Sequence, residues 1–436
     1  MEMRDRFARS SCLRTAFGSG FISFICRCGR EGRHRGNEHL RRAIERLYRR
    51  GEWQRRRFSR LRQRWRYGHP HRERLDVGEL QEGRRSDGHA LQEQRGTFVD
   101  VTREAGLLKR GWGMGVCAGD YDNNGYTDFY VTAYGPNVLF HNNGNGSFTE
   151  VTAAAGVGDT HWSTNCAFGD YDRDGRLDLY VANYMAFDEK STPRRGKDSK
   201  CRFLGVDVFC GPQGLQGEPD VLFHNNGNGT FTDATRAAGI KDPNYYGFGV
   251  IFSDFDNDGW PDIYVANDGN PNFLFPNNGN GTFTEVGVLS GTALNEAGRA
   301  QSGMGVAVGD YDANGLFDIF VTNFAGDTNT LYQNMGKLLF ADTTSIAGLG
   351  EISLQYLGWG AGFEDFDNDG LPDIFVANGH VYPQVDTLDA GQHYAQRKEI
   401  YRNLDGGKFR ELARDLGGDV LIPKSSRGAA FGDLSI

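Results

Sequence analysis

One short acidic loop recurs five times along this chain, with the form Asp-x-Asp-x-Asp/Asn-Gly-x-x-Asp. The copies carry Asp120, Asp122, Asn124 and Asp128; Asp170, Asp172, Asp174 and Asp178; and Asp254, Asp256, Asp258 and Asp262. Two more carry Asp310, Asp312, Asn314 and Asp318, then Asp365, Asp367, Asp369 and Asp373. Alternate oxygens followed by glycine let a loop curl around one hard cation. Ca²⁺ takes about 6–8 oxygens, and the glycine supplies the turn that returns the last carboxylate. Two carboxylates about 4 Å apart repel by roughly 4 kcal/mol at a surface-like dielectric, so three or four together need a counter-ion. Five copies in one register argue against ordinary solvated turns. The expectation is about five structural Ca²⁺ sites, with these twenty residues as ligands.

An EF-hand would carry a bidentate Glu at the twelfth loop position. Val131, Val181, Val265, Val321 and Val376 stand there instead. The segments that close the loops, such as Asp262-Ile-Tyr-Val-Ala266, are rich in β-branched and aromatic residues and read as strands. The first aspartates at 120, 170, 254, 310 and 365 set a period of about 50–56 residues, as in blade repeats. Only the gap from 170 to 254 is long, which places an insertion near residues 186–219. Each unit adds a hairpin such as Val138–Thr152, turned at Asn-Gly-Asn-Gly, where Asn and Gly tolerate positive φ. With a strand on either side of the loop this makes four per unit. The expected fold is all-β, a β-propeller of four-stranded blades.

On these loops the chain resembles the FG-GAP, or VCBS-type, calcium-binding propellers, the class that includes the integrin α head. Phe168-Gly169 and Phe431-Gly432 keep the "FG" of the motif, although its Gly-Ala-Pro half is missing. Asn378–Asp386, Tyr401–Asn403, Arg427–Asp433 and the Cys201–Leu215 stretch resemble bacterial proteins related to the cartilage acidic protein family, which carry a C-terminal ASPIC/UnbV module. The likeness runs over residues 96–434. It implies an extracytoplasmic scaffold that binds a protein or glycan partner, as in adhesion, with the partner's identity open.

Residues 1–95 are foreign to the repeats. They hold 25 Arg, no Lys and 12 acidic residues, a balance of +13, whereas residues 96–436 stand at −22. An Arg-rich arm normally suggests nucleic acid or an anionic surface. Here the codons permit another account. Arg60–His69, re-read one base later, can encode a sixth Asp-rich loop about one period before Asp120, and Leu91–Arg95 can hide the start of a normal hairpin. The segment therefore reads as out of frame and not natively folded, with no nucleic-acid partner expected. Asp433 begins a further loop that the sequence does not complete. One hidden, five visible and one partial loop imply a seven-bladed parent. The domain reading is thus 1–95 as the Arg-rich segment and 96–436 as the propeller.

Extracellular calcium modules bind in the range of about 10⁻⁴–10⁻³ M, which suits an exported protein. No transmembrane segment and no clean export signal is visible. Cys201 and Cys210 lie close enough to staple the insertion as a disulfide, with a metal pair as the alternative. Cys117 and Cys166 precede their loops by three and four residues and so sit on opposite strand faces; the expectation is two buried thiols.

No nucleophile with its base stands out, and no catalytic or cofactor-binding residue is assigned. His380 and Asp386, flanking Tyr382 and Pro383, are the most enzyme-like pair. They leave open a glycan-active enzyme on the axial face, against the plainer reading of a loop-ordering histidine. His141 and His224, each before Asn-Asn-Gly, read as structural. The repeat-locked aromatics Tyr121, Tyr171, Phe255, Tyr311 and Phe366, with Trp112, Trp162, Trp260 and Trp359, read as core between units.

Overall fold

The computed structural model describes residues 13–16, 21–27, 89–94, 97–108, 111–188, 190–388 and 391–433. The re-framed loop near residue 60, Cys12 and Cys28 lie outside the described residues.

Alternating strands and left-handed turns build one antiparallel blade after another. The first runs Trp112–Gly119, Asp128–Tyr134, Val138–Asn142 and Phe148–Glu150 in that spatial order. The second is Ser163–Gly169, Asp178–Asn183, Val221–Asn225 and Phe231–Asp233. The third, Gly247–Ser253, Asp262–Asn267 and Phe273–Phe275, is completed by a bridge from Asn277 to Phe283. The fourth is Gly303–Gly309, Asp318–Asn323, Thr330–Asn334 and Phe340–Asp342, and the fifth Gly358–Glu364, Asp373–Asn378, Glu399–Asn403 and Phe409–Glu411. Ser426–Asp433 packs on the fifth blade as the first strand of a further one. Its sheet partner is Phe21–Arg27, running parallel. His89–Gln94 and Thr97–Asp100 form a hairpin ahead of the first blade, and Leu13–Ala16 pairs with its first strand. First strands of successive blades pack against one another around an axis. The chain is an all-β propeller built of four-stranded blades.

Close approach of neighbouring blades explains the Phe-Gly pair. A Cβ on Gly119 would meet the Phe168 ring at 3.0 Å, and one on Gly169 would meet the Phe252 ring at 2.4 Å. Each glycine clears space for the phenylalanine of the next blade. The loop aromatics do the same work from the other direction. Tyr121 meets Phe231, Tyr171 meets Phe283, Phe255 meets Phe340 and Tyr311 meets Phe409, all with centroids 5.6–6.0 Å apart. These four loop aromatics are buried. Trp112 departs from the core expectation: it is 38 % exposed, and its ring leans on Trp162 of the second blade.

Cys117 and Cys166 are not free thiols but a disulfide, with Cα atoms 5.6 Å apart. Their offset from the loops is the physical reason. In a stack of blades one face of each sheet meets the opposite face of the next. Residues on opposite faces of neighbouring first strands therefore point at each other. Cys201 and Cys210 form a second disulfide, inside the insertion.

In four blades a buried side-chain oxygen near the start of the third strand accepts the amide at the end of the second. Asn137 takes Ala133, Asn272 takes Asn267 and Asn329 takes Asn323, whereas the second blade uses a carboxylate, Asp220, for Asn183. The Tyr180 hydroxyl donates to its other oxygen at 2.9 Å. Burial, with Asp242 beside it, pushes the Asp220 carboxyl well above the ordinary range. A carboxyl raised in the folded state costs stability only where the unfolded chain is ionised. Asp220→Asn is therefore expected to stabilise the protein at pH 8 by about 0.5–2 kcal/mol, the usual range for such replacements. The advantage should shrink as pH falls toward about 4. Urea unfolding of both proteins at pH 5 and 8 measures it, and a gap independent of pH would show that the Asp220 charge is not the cause.

Candidate metal centres

The five loops share one backbone path. A left-handed φ of 57–60° falls on Asn123, Arg173, Asn257, Ala313 and Asn368, followed two residues later by a glycine at φ 84–93°. Asn, Arg and Ala adopt the same φ, so closure of the loop rather than side-chain preference sets it. The first carboxylate, Asp254 in the third loop, accepts the amides of Asp258 and Gly259 at 3.1 and 2.8 Å. The fifth-position oxygen accepts the amide two residues on, as Asp258 does from Trp260. The same contacts recur in the other four loops.

The ninth position anchors each loop to its blade. Asp262 accepts Phe255 N–H at 2.9 Å and Asn277 N–H at 2.8 Å, and is 1 % exposed. Asp128, Asp178, Asp318 and Asp373 hold the equivalent pairs and are buried alike. Burial pushes these carboxyls up, to about 7 for Asp178, Asp262 and Asp318 and about 6 for Asp128 and Asp373, against the amide donors that pull down. A carboxylate held so dry favours either a proton or a cation.

Ligand atoms of Asp254, Asp256 and Asp262 lie within 4.8 Å of one another, as do those of Asp310, Asp312 and Asp318 and of Asp170, Asp172 and Asp174. Hard carboxylate oxygens at this spacing fit Ca²⁺ chemistry. In the first two blades a histidine joins: Asp122, Asp128 and His141, then Asp172, Asp178 and His224. His141 Nδ1 lies 3.2 Å from Asp122 and 3.5 Å from Asp128, and His224 Nδ1 lies 3.3 Å from both Asp172 and Asp178. These histidines thus face the acidic loops, which the structural reading missed. Strand register carries the signal. Phe129 pairs with Phe140 and Leu179 with Phe223, so the next residues outward, Asp128 and His141 or Asp178 and His224, stand side by side.

The opposite face of the propeller is built differently. The insertion crosses from the second blade to the fourth and fifth. Its Phe203 ring lies 5.7 Å from Phe324, 5.2 Å from His380 and 5.5 Å from Tyr382. Val208, Tyr382 and Val385 are buried in that contact. His380 lies beneath it with no exposed surface. Its Nδ1 accepts Tyr382 N–H at 3.0 Å, and burial, with Arg427 nearby, pushes its pKa down to about 4. Asp386 is not hydrogen-bonded to it: that carboxylate accepts Tyr394 N–H at 3.0 Å and lies 3.6 Å from His393. Arg427 stacks on Trp359, its guanidinium carbon 4.5 Å from the ring centroid, and donates to the carbonyls of Gly379, His380 and Ser426. Among the described residues no helix is long and apolar enough to cross a membrane.

Cartilage acidic protein 1 of Homo sapiens is 27 % identical over 227 residues, covering 51 % of this chain and 33 % of that protein. The Mus musculus protein is 26 % identical over the same length, covering 51 % and 34 %. The chain spans about a third of the length of these curated relatives. A solved Agrocybe aegerita lectin, described as recognising non-reducing terminal N-acetylglucosamine, is 14 % identical and covers 77 % of this chain and 90 % of its own. Its TM-score of 0.31 is too low to bear on function. The FG-GAP-like repeat matches residues 120–181, 206–265, 254–321 and 310–376, each span containing at least one of the acidic loops. With its loops, its blades and more than half its length so matched, the chain belongs to the FG-GAP-like repeat family.

Proposed function

We propose that the protein is a calcium-stabilised, extracytoplasmic propeller that binds a protein or glycan partner and catalyses nothing. The observation that carries the calcium part is the repeated ninth carboxylate, dry and aimed with two others into one loop. Asp120, Asp122, Asn124 and Asp128 and their counterparts in the next three loops would hold the ion, which clamps the turn between the first two strands of a blade. Two disulfides support an oxidising compartment. His380 fits the loop-ordering role, since it is buried and bound to its own segment.

Sites of 10⁻⁴–10⁻³ M affinity contribute about 1.4–2.7 kcal/mol each at roughly 10 mM Ca²⁺. Chelation is expected to lower the melting temperature, and Ca²⁺ but not Mg²⁺ in equal amount should restore it. Thermal melts in chelator, Mg²⁺ and Ca²⁺ decide the point. Indifference to all three would sink the calcium reading.

A further inference from the structure

The residue facing the ninth aspartate differs from blade to blade, and its chemistry divides the loops. By register it is His141, His224, Pro276, Gln333 and Arg402. A neutral imidazole offers Nδ1 as a lone pair, proline offers nothing, and a glutamine can turn either end of its amide inward. Gln333 donates to Asp312 at 2.6 Å. Arginine has five donors and no acceptor, and it stays charged.

Arg402 sends one nitrogen between two carboxylates of its own loop, 2.7 Å from Asp367 and 3.1 Å from Asp369. These are the third and fifth positions, the ones a loop of this design turns toward its ion. The guanidinium is delivered by a strand rather than a mobile tail: Tyr401 and Asn403 on either side are buried. Arg176 in the second loop differs, because it is the loop's own seventh residue and pairs with one carboxylate, the fifth-position Asp174, while its Nε donates to the Asn225 carbonyl.

We infer that the Asp365–Asp373 loop is neutralised from within by Arg402 and does not take the divalent ion its sequence advertises. The inference rests on the calcium reading of the other loops. A tethered monovalent cation already sits among the carboxylates, and a divalent ion entering beside it meets like charge and finds the Oδ2 atoms of Asp367 and Asp369 engaged. The fifth blade thereby keeps a closed loop where Ca²⁺ is scarce. The family motif is present here, but the donor set does not fit the ion.

Isothermal calorimetry on the full chain, freed of metal and titrated with Ca²⁺, counts the sites. Arg402→Gln is expected to bind one equivalent more than the wild type. The converse variant, His224→Arg, puts a guanidinium into the second loop and is expected to bind one fewer. Melts in chelator show that each variant is folded; should one not fold, the other decides alone. Equal stoichiometry in the wild type and the folded variants overturns the inference. Absence of Ca²⁺ binding in every protein overturns the calcium reading instead, a distinct result.

Discussion

Replacing Cys117 and Cys166 together with alanine is expected to cost roughly 4 kcal/mol of stability. The two residues are 49 apart in sequence, and closing a loop of that length removes about that much entropy from the unfolded chain. The position makes the estimate more than a loop-length argument. The bond joins the first strands of two neighbouring blades, at the inner edge where every later blade is stacked. Its loss should therefore loosen the contact between blades one and two before either sheet melts. Cysteines 201 and 210, nine apart, give about 2.6 kcal/mol on the same reckoning, and they staple only the insertion. Urea unfolding of the two double variants under oxidising conditions compares them directly. The bridge between blades should matter more. If Cys117→Ala with Cys166→Ala shifts the midpoint no further than the insertion pair does, neighbouring contacts alone hold these blades together.

The same bridge shows what a reader of one repeat at a time overlooks. Blades could be counted from the Asp loops, because the loop spacing is local and its period is regular. The Phe-Gly pair, the hairpin glycines and the β-branched second strands are legible for the same reason. The Cys117–Cys166 partnership is not, because superposing the two units sets these cysteines on opposite strand faces. In a radial stack the comparison that matters is face to opposite face. His141, His224 and Arg402 escaped through a related gap: their partners lie across a strand pair, and only the register places them at the loops. The insertion was visible as a break in the period, but its contact with His380 and Phe324 spans three blades and has no local signature.

Asparagines gave the least away. Asn225, Asn277, Asn334 and Asn403 stand just before tight turns, a place where an asparagine need do no more than help form the turn. Each instead sends its Nδ2 to a loop carbonyl of another unit: Asn225 to Tyr121, Asn277 to Tyr171, Asn334 to Phe255 and Asn403 to Tyr311, at 2.7–2.8 Å. The amide nitrogen of the same residue is held by the ninth aspartate of its own blade. One asparagine thus couples the acidic loop of its blade to the loop of the blade before. A cation bound in one loop would tighten its neighbour through this residue, which ties metal binding to the stacking of the propeller.

Asp262→Ala tests that coupling with the largest effect expected of any loop substitution. The change leaves Phe255 N–H and Asn277 N–H without their acceptor at a site 1 % exposed. Two buried orphan donors at about 1–3 kcal/mol each predict a loss of roughly 2–6 kcal/mol. Part of it is offset near neutral pH, because burial already pushes the Asp262 carboxyl up to about 7 and the variant has no charge to bury. That offset shrinks as pH falls toward the unfolded value near 4, where both states are protonated. In chelator, then, the penalty for Asp262→Ala should grow as pH falls from 8 to 5, and Ca²⁺ at pH 8 should widen it again, because the variant has lost the third loop's share of the stabilisation while the other loops keep theirs. Asp258→Ala makes the control, since Asp258 accepts an exposed amide and should lose the calcium increment with little cost in chelator. Hydrogen exchange would place the damage, with Tyr171 and its loop in the second blade deprotected along with the third. Deprotection confined to the third blade would mean that Asn277 does not couple the two.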